Sequence, residues 1–247
     1  MTKRSAGTRK SRGLTEVAIL CAAAIAGAEP TPGESETRQY QMSVDGKNRG
    51  KCEFRIRRDQ DGAERMQVVS SLSFNFVVYK YRYRSAGSEV WQDDRLVELD
   101  NNADFNGSKY AVVARRSNSG LDVTVNGETS SLPHDAWTTS YWRLPQSLAS
   151  EFPGNPGESP IVRTNGTPPR KIVLLDSDKG EQRRAEVTRL NDERLSVGGD
   201  DRVCSHYRLS GDVQVDLWYD SQRRLVRQES VEQGHKTAIQ LTNITPN

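Results

Sequence analysis

Few residues of this chain stand at spacings that catalysis or metal binding requires. Cys204 and His206 are two residues apart, which on a strand places both side chains on one face. A tetrahedral zinc site needs further ligands, and a nucleophilic pair needs an orienting group and an oxyanion hole. The chain also contains no phosphate loop, dinucleotide fingerprint or nucleophile elbow. The sequence therefore predicts a protein that is not an enzyme and binds no cofactor, with Glu89 or His206 as the acid or base of a less favoured enzymatic alternative.

An Asx-rich stretch, residues 100–106, superficially resembles a calcium-binding loop. Such a loop needs Gly at its sixth position and a bidentate Glu at its twelfth. Phe105 and Ala111 occupy those positions. We interpret the stretch as a hairpin connection and predict no metal site.

Aromatic residues carry the functional signal of this sequence. Tyr and Trp combine an apolar body with a polar tip, which suits an amphipathic ligand. An ordinary aromatic core is the alternative interpretation. The predicted ligand-binding residues are Tyr79, Tyr81, Tyr83, Trp91, Trp142 and Trp218.

A basic stripe alternates with the three tyrosines of that set. Lys80, Arg82 and Arg84 take the even positions, so we expect them on the opposite face of the same strand. A solvated outer face of the sheet explains them most simply. Contact with an anionic lipid or a carboxylate is the alternative.

Period-two alternation of apolar and polar residues runs through most of the chain. Cys52, Phe54 and Ile56, for example, alternate with charged residues, which indicates a strand with one buried face. Asn-Gly and Asp-Gly pairs recur between such runs and favour tight hairpin turns. The pattern predicts a mostly β protein with a curved antiparallel sheet.

Two segments depart from this simple alternation. From Met66 to Arg84 the apolar residues change from even to odd positions near Val77 and Val78, which predicts a β-bulge or sharp bend there. From 138 to 152, helical spacing predicts one short helical insert, limited by Pro145. Residues 153–169 are predicted to form a loop.

The first 28 residues differ in kind from the rest. A basic segment precedes an apolar run from Val17 to Ala28, which ends in a small-x-small pattern. About a dozen apolar residues are too few to span a bilayer. We predict a signal peptide over 1–28 that is cleaved after Ala28, although a disordered basic tail is the alternative. A linker over 29–37 and a single domain over 38–247 would follow, in a periplasmic or secreted protein that is not transmembrane after cleavage.

Removal of the leader reverses the sign of the net charge. The chain has 35 Lys and Arg and 33 Asp and Glu; the leader holds five of the former and one of the latter, which leaves a formal charge of −2. This charge gives no electrostatic case for nucleic-acid binding. Cys52 and Cys204 remain, as separate thiols or as one disulfide.

Residues 81–107 and two later segments resemble an uncharacterised family of exported bacterial β proteins. The similarity rests on Glu89, Trp91 and Leu96, on the Thr-Ser-x-Trp segment ending at Trp142, and on the Leu-Trp-Tyr-Asp strand at 217–220. Such families resemble periplasmic lipoprotein-carrier half-barrels. In these proteins a curved antiparallel sheet is wrapped around a short helical lid, with an apolar cavity. The resemblance implies a fold and a type of site but no catalytic residues.

The leading functional hypothesis is therefore an envelope protein that binds an apolar or amphipathic ligand, such as a lipid or acyl chain, in a half-barrel cavity. A structural module that docks an envelope protein through an open sheet edge is the alternative. The cofactor-free enzyme is a third and weaker hypothesis.

Overall fold

Sixteen strands and one short helix make up the part of the chain that the structure, a computed structural model, describes: residues 33–75, 80–152, 168–232 and 234–247. The elements in chain order are β1 Ser35–Val44, β2 Lys47–Arg58, β3 Glu64–Asn75, β4 Lys80–Gln92, β5 Arg95–Phe105, β6 Ser108–Arg116, β7 Leu121–Val125, β8 Glu128–Leu132, β9 Trp137–Thr138, α1 Gln146–Glu151, β10 Arg170–Leu175, β11 Gln182–Arg189, β12 Glu193–Val197, β13 Asp200–Gly211, β14 Val215–Tyr219, β15 Leu225–Glu232 and β16 His235–Pro246.

The strands form one large sheet. Its order is β8-β7-β6-β5-β4-β3-β2-β1-β16-β15-β14-β13-β11-β10-β9, and β12 pairs with β13 beside this path. All pairs are antiparallel except β9 with β10. The sheet is curved and not closed, since β8 and β9 form its two ends. This architecture confirms the predicted mostly β fold with a curved antiparallel sheet and one short helix.

Tight turns connect several neighbouring strands where the sequence predicted them. Asp45 and Gly46 join β1 to β2 with φ values of 48° and 74°, and Asn106 and Gly107 join β5 to β6 with φ values of 55° and 96°. Two consecutive positive φ angles are typical of the type I′ turn, whose twist matches that of the paired strands. Local sequence therefore sets these strand connections.

The segment from Met66 to Arg84 contains two strands of a hairpin, which corrects the predicted bulge within one strand. Phe74 pairs with Tyr81 across the antiparallel ladder of β3 and β4, so the chain reverses between them. Each pair in this ladder joins an even-numbered to an odd-numbered residue, and paired residues share a face. Chain reversal thus explains the change of phase. Val77 and Val78 themselves lie outside the described residues.

The helical insert is shorter than the predicted segment 138–152. Thr138 belongs to β9, Tyr141 has a φ of 48°, and α1 covers only the six residues Gln146–Glu151 after Pro145. Proline fixes the start because it has no amide hydrogen to donate. No helix among the described residues has the length and apolar character needed to cross a membrane.

Three sequence predictions concern the chain ends and loops. The signal peptide 1–28 and residues 29–32 of the predicted linker 29–37 lie outside the described residues, and β1 begins within that linker at Ser35. Most of the predicted loop 153–169 is likewise outside them.

One cluster of buried side chains includes residues of nearly every strand. Its part on the concave face includes Phe54, Leu99 and Leu217, which are all less than 5% exposed. Cys52 shares this face, whereas Cys204 alternates with the inward-facing Tyr207 and points the other way. Both cysteines are buried and free.

Candidate functional site

The concave face of the sheet encloses a cavity of about 490 Å³. Its wall extends from hairpin ends, such as Val44 in β1 and Phe105 in β5, to Glu89 in β4 and Tyr141 before α1. Much of the wall is aliphatic because these strands alternate apolar inward and polar outward. Aliphatic residues that line it include Met42, Val44, Val68, Leu72, Val213 and Val215.

The turn between β10 and β11 projects into this concave face and carries Asp178. Tyr83 Oη donates to Asp178 Oδ2 at 2.8 Å, and Ser85 Oγ donates to Oδ1 at 2.8 Å. The amide nitrogen Nδ2 of Asn101 lies 2.9 Å from the same Oδ1 and 2.8 Å from the carbonyl oxygen of Ser177. Residues of β4 and β5 thus hold the turn in place through one carboxylate.

The conformation of this turn depends on Asp176 and Gly180. Asp176 Oδ1 accepts hydrogen bonds from the backbone amides of Asp178 and Lys179, and its carbonyl accepts one from Gly180 at 2.7 Å. Gly180 has a φ of 72°, and a Cβ there would lie 2.1 Å from a methyl carbon of Val125. Only glycine combines that φ with so close an approach.

Glu89 is a second carboxylate in the cavity wall, and it is 2% exposed. Its Oε2 accepts hydrogen bonds from the indole nitrogens of Trp91 at 2.7 Å and Trp142 at 2.9 Å. Thr138 Oγ1 donates to the same oxygen at 3.0 Å. Glu89 therefore fixes β4, the segment before α1 and the end of β9 to one another.

Burial raises the pKa of both carboxylates. It raises the pKa of Glu89 above its ordinary value, while the hydrogen bonds from Trp91, Ser140, Trp142 and Thr138 act against it. Burial also raises the pKa of Asp178, again opposed by hydroxyl and amide donors. Neutral groups supply all of these hydrogen bonds, so neither charge is balanced by a bonded cation.

The structure places the predicted tyrosines in or near this wall. Tyr81 and Tyr83 both line the cavity, and the ring of Tyr83 lies 5.0 Å from that of Phe105. Tyr79 lies outside the described residues. The hydroxyl of Tyr83 also donates the hydrogen bond that holds Asp178.

The tryptophans of the predicted set lie elsewhere, which corrects their assignment to the wall of this cavity. Trp91 and Trp142 pack behind Glu89, and the guanidinium of Arg143 lies 5.3 Å and 5.7 Å from their ring centroids. Arg143 is in turn paired with Glu64 at 2.8 Å and Asp94 at 2.9 Å. These two indoles act as buried structural donors.

Trp218 and His206 belong to the convex face instead. Their rings stack at 4.2 Å across the β13–β14 pair. His206 contacts Glu193 through Nδ1 and Asp216 through Nε2, both at 2.9 Å. Because neither His206 nor Trp218 lines the cavity, the hypothesis that His206 acts there as an acid or base does not fit the geometry.

Sequence reasoning missed Asp178, Ser85 and Asn101. Neither Asp178 nor Ser85 belongs to a predicted site, and Asn101 is predicted only as part of an Asx-rich connection. A usable signal was present in β4, where polar Ser85 and Glu89 occupy the inward-facing positions of an otherwise apolar pattern. Buried polar residues need partners, and those partners come from distant segments.

The described residues contain no group of three or more His, Cys, Asp or Glu side chains arranged to hold a metal ion. The basic stripe Lys80, Arg82 and Arg84 is exposed on the face opposite the cavity. This position agrees with a solvated outer face.

Comparison with known proteins identifies the fold but no activity. The sequence matches, over residues 40–242, the family described as a domain of unknown function, DUF6134. No curated protein matches the chain. A crystal structure of a beta-barrel-like protein of the domain of unknown function DUF1849 from Brucella abortus is similar, with a TM-score of 0.62 and 7% sequence identity over 88% of this chain and 100% of that chain. At this identity the similarity shows a shared fold alone.

Proposed function

The chain belongs to the DUF6134 family, and we propose that it is a binding protein whose cavity holds an amphipathic small molecule, such as a lipid or an acyl-chain compound. The cavity of about 490 Å³ on the concave face carries this proposal. Ligand sites are typically concave spaces of about 300–1,000 Å³ that combine an apolar lining with a few placed polar groups.

The chemistry of the wall supports an amphipathic occupant. One part is aliphatic, with Met42, Val68 and Leu72 available to an apolar chain. Another part presents the hydroxyl of Tyr83 and the carboxylates of Asp178 and Glu89. A molecule with both an apolar and a polar end would satisfy both parts, whereas a purely apolar one would leave the carboxylates without new partners.

We favour binding over catalysis because protein donors already hold the two carboxylates Asp178 and Glu89. Asp178 accepts three hydrogen bonds from protein donors, and Glu89 accepts four. A carboxylate held in this way serves as a fixed structural acceptor. A general acid or base, in contrast, needs a position free to meet the reacting atom.

We further propose that the protein is exported, because the basic and apolar pattern of residues 1–28 is that of a leader peptide. Mass spectrometry of the protein recovered from the extracytoplasmic fraction is expected to show an N-terminus at Glu29. Recovery of the full-length chain from the cytoplasmic fraction alone would contradict export.

A bulky residue in the wall is expected to weaken probe binding. Val68 lines the cavity from β3, so Val68→Trp should fill part of the space and weaken the binding of the neutral dye Nile red by about tenfold or more. Fluorescence titration measures this loss. Native mass spectrometry of the protein purified from cells would show any co-purified lipid in the wild type and less in the variant.

Val69→Trp is the matched control. Val69 is the next residue of the same strand but is 63% exposed on the other face, so its replacement should leave dye binding unchanged. Equal dye affinity in the two variants, or no binding to the wild type, would reject the cavity as the ligand site.

An open sheet edge supports the second candidate function, docking of an envelope protein. Strand β8 ends the sheet, and residues 128–131 in it are exposed. Such an edge offers free backbone groups to a partner strand. Crosslinking from β8 in cells would favour this role if it trapped one reproducible protein while the cavity stayed empty.

A further inference from the structure

We propose that the polar end of the ligand is cationic, an alkyl ammonium group, and that the acidic wall of the cavity selects it. This inference rests on the proposed binding function and names the class of ligand. It follows from the charges of the side chains that line the cavity, from the partners of those side chains, and from the position of the aliphatic surface beside them.

Among the described residues of the cavity wall, five are carboxylates and two are cations. The carboxylates are Glu89, Asp176, Asp178, Asp212 and Glu232, and the cations are Lys179 and Arg183. A low-dielectric space with walls of one sign concentrates the field and attracts the opposite charge. Asp212 and Glu232 are exposed, so Glu89, Asp176 and Asp178 supply the negative charge of the less exposed part of the wall.

Neither cation of the wall balances the two most enclosed carboxylates. Arg183 pairs with Glu181 and lies 3.7 Å from Asp176. The ammonium of Lys179 lies over the ring of Phe105, 5.2 Å from its centroid. The hydrogen-bond donors to Asp178 and Glu89 are hydroxyl, amide and indole groups. Among the described residues, no cationic side chain is hydrogen-bonded to either of these two carboxylates.

A cationic ligand would supply the missing counter-charge. Enclosed charges interact more strongly than exposed ones, because less water screens them. An anionic head in the same place would meet like charge and lose its hydration without compensation. A fatty acid is therefore disfavoured and an alkyl amine favoured, although both present the same chain to the aliphatic wall.

Three probes with the same alkyl chain length separate the effect of head-group charge on affinity from the effect of the alkyl chain. Decylamine, 1-decanol and decanoate are titrated against the wild-type protein at neutral pH, below their aggregation concentrations, by displacement of Nile red. We expect decylamine to bind about tenfold or more tightly than decanoate, with decanol between them.

A charge-removing variant tests where the preference originates. Asp178→Asn should reduce the decylamine preference by about threefold or more, because one enclosed negative charge is lost. Asp100→Asn, on the exposed face of β5, should leave the preference unchanged. Circular dichroism checks that both variants are folded, and the wild-type titration decides the proposal even if Asp178→Asn does not fold.

The outcomes distinguish this inference from the function on which it rests. Tighter binding of decylamine supports both. Equal or tighter binding of decanoate rejects the proposal that the ligand has a cationic head group but leaves the proposed binding function in place. Failure of Nile red and of all three probes to bind overturns both.

Discussion

Replacement of Glu89 by alanine is expected to lower the free energy of unfolding by about 3–5 kcal/mol. Its carboxylate accepts hydrogen bonds from the indole nitrogens of Trp91 and Trp142 and from the hydroxyl of Thr138. The variant leaves these three buried donors without an acceptor and opens a space beside two large rings. Urea unfolding followed by circular dichroism measures the loss.

Glu98→Ala is the matched control for this substitution. Glu98 lies on the neighbouring strand β5, is 41% exposed in its side chain and pairs with Arg115 at 3.1 Å. Exposed pairs of this kind contribute at most about 1 kcal/mol. A loss at Glu89 no larger than that at Glu98 would show that the buried hydrogen bonds do not stabilise the fold.

The pH dependence of Glu89→Gln gives an independent measurement. Burial raises the folded pKa of Glu89 above its ordinary value of 4.5, so the native protein binds the proton more tightly than the unfolded chain. The stabilisation linked to this proton is complete below the unfolded pKa and is lost as pH rises through the folded pKa. Wild type should therefore gain stability relative to Glu89→Gln as pH falls towards 4.5; the opposite slope would contradict the raised pKa.

Substitution of Gly180 by alanine is expected to cost about 2–4 kcal/mol and to move the β10–β11 turn out of the concave face. The added Cβ would lie 2.1 Å from a methyl carbon of Val125, and the φ of 72° disfavours any side chain. Since the turn carries Asp178, its displacement also changes the cavity. Urea unfolding and Nile red titration together measure the two effects.

Gly107→Ala separates the two contributions to the loss of stability at Gly180, the steric clash and the backbone strain. Gly107 also has a positive φ, 96°, but a Cβ there meets nothing within 4 Å. Its substitution should cost only the strain, about 1–2 kcal/mol, and leave dye binding unchanged. If the two variants lose equal stability and both bind the dye, the turn is not docked as described.

Much of the fold follows from local patterns in the sequence. Alternation at Cys52, Phe54 and Ile56 identifies a strand and its buried face, and Asp-Gly and Asn-Gly pairs identify turns. These signals need only neighbouring residues, because strand period and turn conformation are properties of a few consecutive φ and ψ angles. The prediction for Met66 to Arg84 failed because a bend and a hairpin produce the same change of phase.

The candidate site could be predicted only in part. Tyr81 and Tyr83 were predicted with the other aromatic residues from their chemistry, and both line the cavity. Trp218 was selected for its chemistry, although its position in the alternation puts it on the other face. Trp91 and Trp142 lie behind the wall, because their ring nitrogens find an acceptor in Glu89 there.

The sequence by itself determined a mostly β chain, its alternating strands and several of its turns. Only the tertiary structure decided that Asp178 lies against Tyr83, Ser85 and Asn101, residues 77 to 95 positions earlier in the chain. The reason is physical: alternation fixes the face of each strand, but the curvature of the whole sheet decides which distant side chains meet across its concave face. The carboxylates of the cavity wall come together only through this curvature, because they belong to segments that are distant in the sequence.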